Sequence, residues 1–262
     1  MPPLTTVTAA LERIAPLRLA AAWDTVGLLV QPRRDAVGRV MTCLTLTPAV
    51  AAEAARERAD LVVTHHPLPF RPVGRITAAT GPGAAILELV GAGAGVWSSH
   101  TAWDSAAGGI NDQLCAILGL THVAPIEPDA ETPVAGFGRM GSAAAGASVA
   151  AVARLAGDRV AAAHVQVIGD PGRPAGRVAI VCGSGGDMID AVRRGGADTL
   201  LTGEIKLHQA TEALAAGLAV IAVGHHASEH FSMAVLGERL ASAVPGLSCR
   251  PSRDDVDPIG WL

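Results

Sequence analysis

Leu61-Val62-Val63-Thr64-His65-His66-Pro67 is the stretch on which the fold turns. Its first four residues are apolar or β-branched and read as a short strand buried on both faces. Pro67 has no N–H to donate to a sheet ladder, so the strand must stop before it. Two imidazoles therefore stand at its carboxyl end. Burying them without partners would be costly, and the pair asks for a ligand or a polar pocket. On a regular strand the two would point to opposite faces, but where the backbone turns both can reach one place.

The same rhythm extends in both directions. Further strands are expected at Arg39–Leu46, Gly95–Ser99, Val178–Cys182, Thr199–Thr202 and Leu218–Val223. Helices are expected over Thr5–Ile14 with Thr5 or Thr6 as cap, from Pro48 to Ala59, and over Pro82–Val90, Ile110–Leu118, Met188–Arg194 and Ile205–Ala215. A long amphipathic helix is expected over Ser228–Leu240, with Ser228 as its cap. Strands alternating with helices imply an α/β protein. The expected architecture is two α/β domains with mainly parallel sheets flanked by helices, and a metal site in the crevice between them. The Pro- and acid-rich segment Pro125–Pro133 has no periodicity and is read as the boundary. An N-terminal domain, 1–125, would carry His65, His66 and Asp104, and a C-terminal domain, 126–262, His225 and Glu229. A helix after the Gly/Ala/Ser stretch that follows is expected to start near Ser148.

Composition narrows the function classes. Half of the 262 residues are hydrophobic, only 3% are aromatic, and there is no Tyr. The net charge of -4 and the absence of a basic stripe argue against nucleic acid as the main partner. Aromatic platforms for stacking a strand of bases are nearly absent. The four cysteines are dispersed and form no CxxC pair, so a reducing, cytoplasmic setting is expected. No apolar run reaches the length of a membrane span, and Met1–Leu11 lacks the pattern of a signal peptide.

Six of the nine histidines lie in three polar stretches. Besides His65-His66 these are His100-Thr101-Ala102-Trp103-Asp104 and Gly224-His225-His226-Ala227-Ser228-Glu229-His230. All three follow expected strands, where ligands of α/β sheets collect. Imidazole with carboxylate is the donor set of a metal site built on nitrogen and oxygen. Each residue also has a plainer reading. One histidine of the His65-His66 pair could be a core or capping residue, Asp104 a helix cap, and Glu229 an acid that complements a helix dipole. His226 and His230 would face away from His225. Glu204, in Thr202-Gly203-Glu204, could steer a ligand histidine or bind substrate, with His208 one turn on. Asp24, in Trp23-Asp24-Thr25-Val26-Gly27, reads as a turn-forming acceptor. Gly183-Ser184-Gly185-Gly186 lacks the Lys and spacing of a phosphate loop and reads as a tight turn. No GxSxG elbow supports a serine hydrolase.

Taken in order, Trp23-Asp24-Thr25-Val26-Gly27-Leu28, His65-His66-Pro67-Leu68, Ser99-His100-Thr101-Ala102-Trp103-Asp104, Thr202-Gly203-Glu204-Ile205-Lys206 and Gly224-His225-His226-Ala227-Ser228-Glu229 closely resemble the GTP cyclohydrolase 1 type 2 homologue family of NIF-three-like dinuclear metal proteins. The resemblance covers essentially the whole chain. It implies a compact two-domain member without the inserted domain that some relatives carry. It also implies two divalent ions held by His65, His66, Asp104, His225 and Glu229, and assembly as a homohexameric ring. Zn, Mn, Fe and Ni all suit such ligands.

The resulting expectation is a metal-dependent hydrolase of a small, nucleotide-like molecule. Opening of the GTP ring with release of formate is the named candidate reaction, and His100 and Glu204 are the candidate proton carriers. The competing readings are a non-catalytic metal-binding or protein-interaction ring and a metal-dependent phosphoesterase.

Overall fold

The computed structural model describes residues 1–71 and 73–260. In chain order the strands are β1 (Gly27–Val30), β2 (Arg39–Cys43), β3 (Leu61–Thr64), β4 (Gly95–Ser98), β5 (Thr121–Pro128), β6 (Gly136–Ser142), β7 (Gln166–Ile168), β8 (Arg177–Ser184), β9 (Thr199–Glu204), β10 (Ala219–Ala222) and β11 (Ser248–Pro251). The α-helices are α1 (Leu4–Ile14), α2 (Pro48–Arg56), α3 (Gly81–Ala92), α4 (His100–Ser105), α5 (Ile110–Ile117), α6 (Val149–Arg159), α7 (Ile189–Arg194), α8 (Leu207–Ala215), α9 (His225–Glu229) and α10 (Phe231–Ala243). They form two compact units, each built on its own sheet. The first holds Met1–Trp103 and Ser232–Pro258, the second Asp104–Phe231 with Ile259 and Gly260.

The first sheet has the order β1-β4-β3-β2-β11. Strands β4, β3, β2 and β11 are mutually parallel, and β1 runs antiparallel at the edge. All four residues of β3 are buried, as its unbroken apolar run requires of a central parallel strand. Alternation sends Met41, Cys43, Val62 and Val96 into a core shared with Val50, Ala51 and Ala54 of α2 and Ala85 and Leu89 of α3. Thr42 points the other way, towards α10. A Cβ placed on Gly237 of α10 would sit 3.3 Å from the Thr42 methyl. The sheet is thus covered on both faces by helices.

The second sheet has the order β5-β6-β8-β9-β10-β7. Only β8, β9 and β10 are parallel to one another; β5, β6 and β7 pair antiparallel. Val181, Leu200 and Val220 pack on Ile189 and Val192 of α7 and Ala213 of α8. Buried Arg139 on β6 ties α4 and α5 to this sheet. Its guanidinium pairs with Asp112 and donates to the carbonyls of Gly136, Gly138 and Ala106.

Several sequence expectations are corrected. Residues 125–128 are the end of strand β5, which hairpins onto β6. This strand lies on the sheet edge and is mostly exposed, so it shows no alternation and tolerates Pro125 and Pro128. The compact units accordingly divide the chain differently from a cut at residue 125. Strand β11 pairs with β2, which returns the chain end to the first unit, and Asp104 falls in the second. Helix α1 opens at Leu4 behind Pro3, with no cap from Thr5 or Thr6. The expected helix from Ser228 is two, α9 and α10, and Ser228 lies inside α9 with its hydroxyl engaged elsewhere. Ser148 does cap α6, accepting from the N–H of Ala151. No helix among the described residues is long and apolar enough to cross a membrane.

One buried acid fastens the returning segment. Glu53 of α2 accepts the Ser252 hydroxyl and the backbone N–H groups of Arg253 (3.0 Å) and Asp254 (3.1 Å). Burial alone would raise its pKa, but the bonds from Ser252, Arg253 and Asp254 outweigh this and hold it below the ordinary 4.5. Glu53→Ala should lower the unfolding free energy by about 2–3 kcal/mol, since charge-assisted bonds into a buried site are lost. Because the folded pKa is depressed, this contribution is complete above the unfolded value near 4.5 and fades as pH falls through the folded one. Urea titrations of both proteins across acid pH would show the two curves converging at the acid end.

Candidate metal centre

In the first unit, two neighbouring strand ends build a cluster of imidazoles. Beyond β3 the backbone stays tied to the segment after β2: His65 N donates to Cys43 O (3.0 Å) and His66 N to Leu44 O (2.9 Å). Two buried hydroxyls then shape the turn. Ser98 Oγ donates to His65 O (2.7 Å), and Thr64 Oγ1 contacts His66 O (3.0 Å) and Leu44 O (3.2 Å). So held, the rings of His65 and His66 lie 5.1 Å apart, and that of His100, at the start of α4 beyond β4, lies 5.1 and 5.6 Å from them.

Each of the two more accessible rings is oriented from behind. His66 Nδ1 meets Thr45 Oγ1 at 2.8 Å, and His100 Nδ1 meets Asp24 Oδ1 at 2.8 Å. The other oxygen of Asp24 accepts the Thr101 hydroxyl (2.5 Å) and N–H (3.2 Å). Burial pushes the Asp24 pKa up, but the bonds from His100 and Thr101 prevail and lower it. The carboxylate thereby favours the Nδ1–H form of the His100 ring, with the lone pair on Nε2. His100 itself adopts φ +23°, a sparsely populated conformation for a residue with a side chain, as functional sites often do.

In the second unit, the ends of β8, β9 and β10 gather the acids. Gly224, at φ +96°, swings the chain from β10 into α9. His225 Nε2 then lies 3.2 Å from Glu229 Oε2, and its Nδ1 lies 3.1 Å from Glu204 Oε1. Burial works against a charged His225, but the bond and charge of Glu229, then those of Glu204, push its pKa up to about 9. Asp104 accepts the thiol of Cys182 at 3.2 Å. Buried Asn111 holds both residues, donating to Asp104 O (3.0 Å) and accepting from Cys182 N (2.9 Å). Burial, and after it the charges of Asp104 and Glu229, push the Cys182 thiol well above its usual range, so it acts as an S–H donor.

The glycine after Cys182 is required by the site. Gly183 has φ +62°, and a Cβ on it would fall 2.2 Å from Glu229 Oε1 and 3.2 Å from His225 Nε2. Ser228 fastens the same corner by accepting from Gly183 N (3.0 Å) and donating to His225 O (2.8 Å). The Gly183-Ser184-Gly185-Gly186 turn therefore makes room for the acid and the imidazole.

The donor chemistry suits divalent metal. One nitrogen from each of His65, His66 and His100 lies within 4.8 Å of the others. Ligands on opposite sides of one ion are about 4 Å apart, so small ring movements suffice. Histidines whose second nitrogen is held by a hydroxyl or carboxylate are the usual metal-binding form. Among the expected residues, His65 and His66 come together with His100, and His225 with Glu229 and Glu204. Asp104 is joined to Cys182. His226 and His230 stack on each other, 4.4 Å between centroids, and His208 is exposed on α8. Asp24, Thr45, Asn111, Cys182 and Gly183 had no assigned part in the site. Most of their partners are remote in sequence; the Asp24 motif and the Gly183-Ser184-Gly185-Gly186 stretch stood out beforehand, but both read as turns.

Comparison with known proteins shows the family and the fold. The profile of the family described as Duf34/NIF3 (NGG1p interacting factor 3) matches residues 3–256. A GTP cyclohydrolase 1 type 2 homolog of Clostridium perfringens is 32% identical over 253 residues, covering 96% of this chain and 97% of the relative. A protein of the same name from Streptomyces coelicolor is 34% identical over 234 residues, covering 87% and 82%. The crystal structure of a Bacillus cereus protein related to NIF3 matches with a TM-score of 0.92 over 100% of this chain and 99% of that one. At 19% identity that likeness bears on the fold alone.

Replacing Gly183 by Ala tests the corner. The left-handed backbone and the 2.2 Å approach to Glu229 together should cost about 1–3 kcal/mol of stability. The same change should separate Glu229 from His225. NMR titration of the metal-free protein would then show the His225 resonance ionising closer to the ordinary imidazole range.

Proposed function

The chain belongs to the Duf34/NIF3 family, and from that premise we propose that it is a hydrolase working with two divalent ions, on a nucleotide substrate. The ligands in this reading are His65, His66, Asp104, His225 and Glu229. The observation that supports it most is the gathering of imidazoles and carboxylates at strand ends, with His66, His100, His225 and Asp104 each oriented by a neighbouring polar group. Zn, Mn, Fe or Ni would suit these donors. When bound, such ions supply Lewis acidity and bring the ionisation of water towards neutral pH.

The remaining work falls to the protein's own groups. Asp24 keeps the His100 ring in one tautomer and one orientation, and Glu204 does the same for His225. His100 and Glu204 are the proton carriers in this reading. Cys182 stays a thiol and steadies Asp104, which removes it as a nucleophile. GTP is the named candidate substrate, because the relatives in Clostridium perfringens and Streptomyces coelicolor bear the name GTP cyclohydrolase 1 type 2 homolog. The reaction would consume two waters: one adds at C8 of the guanine ring and opens it to a formamide, and a second cleaves that formamide to formate and the free amine. The dispersed free thiols favour a reducing compartment, the cytoplasm.

Metal-loaded protein should release formate from GTP, and protein stripped by a chelator should not. Asp104→Ala should slow release by at least about 100-fold, beyond the 10–100-fold usual for an outer partner of a metal. Turnover of phosphoesters without any from GTP would move the assignment to a phosphoesterase. Bound metal without turnover of either class would sink the hydrolase and leave a scaffold.

The assembled form in this reading is a ring of six. Light scattering coupled to gel filtration should return six times the 26.5 kDa chain mass, and a monomer would contradict it.

A further inference from the structure

The chain is poor in aromatic side chains, with three Phe, four Trp and no Tyr. Trp97 and Trp103 are buried in the first unit, and Phe137 and Phe231 are half-covered. Trp23 and Phe70 are different: 67% and 54% of their surfaces face solvent. They come from distant segments, one before β1 and one after His65-His66-Pro67, yet their rings lie 6.4 Å apart. Both also reach the same imidazole. Trp23 lies 5.9 Å and Phe70 5.8 Å from the His100 ring, at angles of 76° and 77°.

Keeping two large aromatics wet is unfavourable, and clustered exposed apolar side chains mark binding sites. Each is also tethered through the site. Trp23 precedes Asp24, whose carboxylate is bonded to His100 and Thr101, so the backbone beneath the indole is fixed. Phe70 lies four residues beyond His66. The two rings thus border the imidazole cluster, where a flat molecule would find hydrophobic faces beside metal-ligating nitrogens. Stacking is indifferent to the identity of a base but needs a planar π system.

We propose that Trp23 and Phe70 form the recognition wall for a planar heteroaromatic ring, a nucleobase, presented at the His65/His66/His100 cluster. This deepens the hydrolase reading and rests on it only for what happens to the ring afterwards. Recognition of the base is separable from chemistry, because it needs the wall and not the ions.

Equilibrium binding to the full chain tests this without turnover, with guanosine and adenosine as probes and tripolyphosphate and ribose 5-phosphate as controls lacking a base. Both nucleosides should bind the wild type and quench its indole fluorescence. Trp23→Ala and Phe70→Ala should each weaken nucleoside binding about tenfold or more, as loss of a stacked base does. Both should leave the controls within twofold, and Trp23→Phe should restore most of the loss. Since both side chains are exposed, the variants should keep the wild-type thermal midpoint.

Absence of nucleoside binding by the wild type, or equal losses for nucleosides and controls, overturns the wall. So does unchanged nucleoside binding in Trp23→Ala, whether or not that variant alters the association of chains. Formate release by the wild type together with base-independent binding would leave the hydrolase standing and remove the wall. Selective loss of nucleoside binding with no metal-dependent turnover would do the reverse.

Discussion

Two buried hydroxyls at the ends of neighbouring strands, Thr64 on β3 and Ser98 on β4, set the conditions for the first unit. Inside a parallel sheet every backbone group has a ladder partner, and at the end of the strand those partners run out. Thr64 and Ser98 take over there, engaging the carbonyls of His66 and His65. The backbone can then leave the sheet without buried orphans, and it leaves in one conformation. That single conformation turns consecutive histidines, which a strand would send to opposite faces, towards a common neighbour in His100. Alanine at either hydroxyl would keep the apolar pattern and lose the geometry.

The second unit reaches a comparable result through absence of side chain. Gly183 admits the Glu229 carboxylate against the backbone, and a Cβ on Gly203 would come within 2.6 Å of both Gly183 O and Ser228 Oγ. His225 stands between two acids, Glu204 and Glu229, which is why its imidazole favours a positive charge. In the proposed reading, a cation placed there would substitute for that proton. The sparse aromatic content belongs to the same logic. A core of Ala, Val and Leu lets backbones approach closely; of the few large rings, Trp97 and Trp103 lie deep in the core and Trp23 and Phe70 at the imidazole cluster.

Much of this was legible because the informative residues are consecutive. Leu61–Thr64 is a strand at the expected bounds, and the helices after Pro48 and Ser148 start where Pro and Ser predict. The His65-His66 pair stands out because nothing else in a buried strand end is so polar. What escaped has physical causes. Strand β5 is an exposed edge and β6 is glycine-rich, so neither alternates. Ser228 follows a helix-cap pattern, yet its hydroxyl serves Gly183, 45 positions away in the chain. Asp24 looked like a turn former and does accept from Thr25 N (2.8 Å), but its bond to His100 spans 76 positions. Local patterns announce elements and donors; the partners that orient those donors are assigned only when sheets assemble.

The topology also orders the protein's birth. The second unit is nearly contiguous, whereas the first closes only when Ser248–Pro251 pairs with Arg39–Thr42 and Glu53 captures Ser252, 199 positions later. On the ribosome, the second unit can collapse while the first still carries β2 with one unpaired parallel edge. Chains fold from the amino end as they emerge, and open strand edges invite other strands. A nascent chain paused short of β11 is therefore a natural client for a holding chaperone. The first unit is complete only once β11 and Ser252 have emerged.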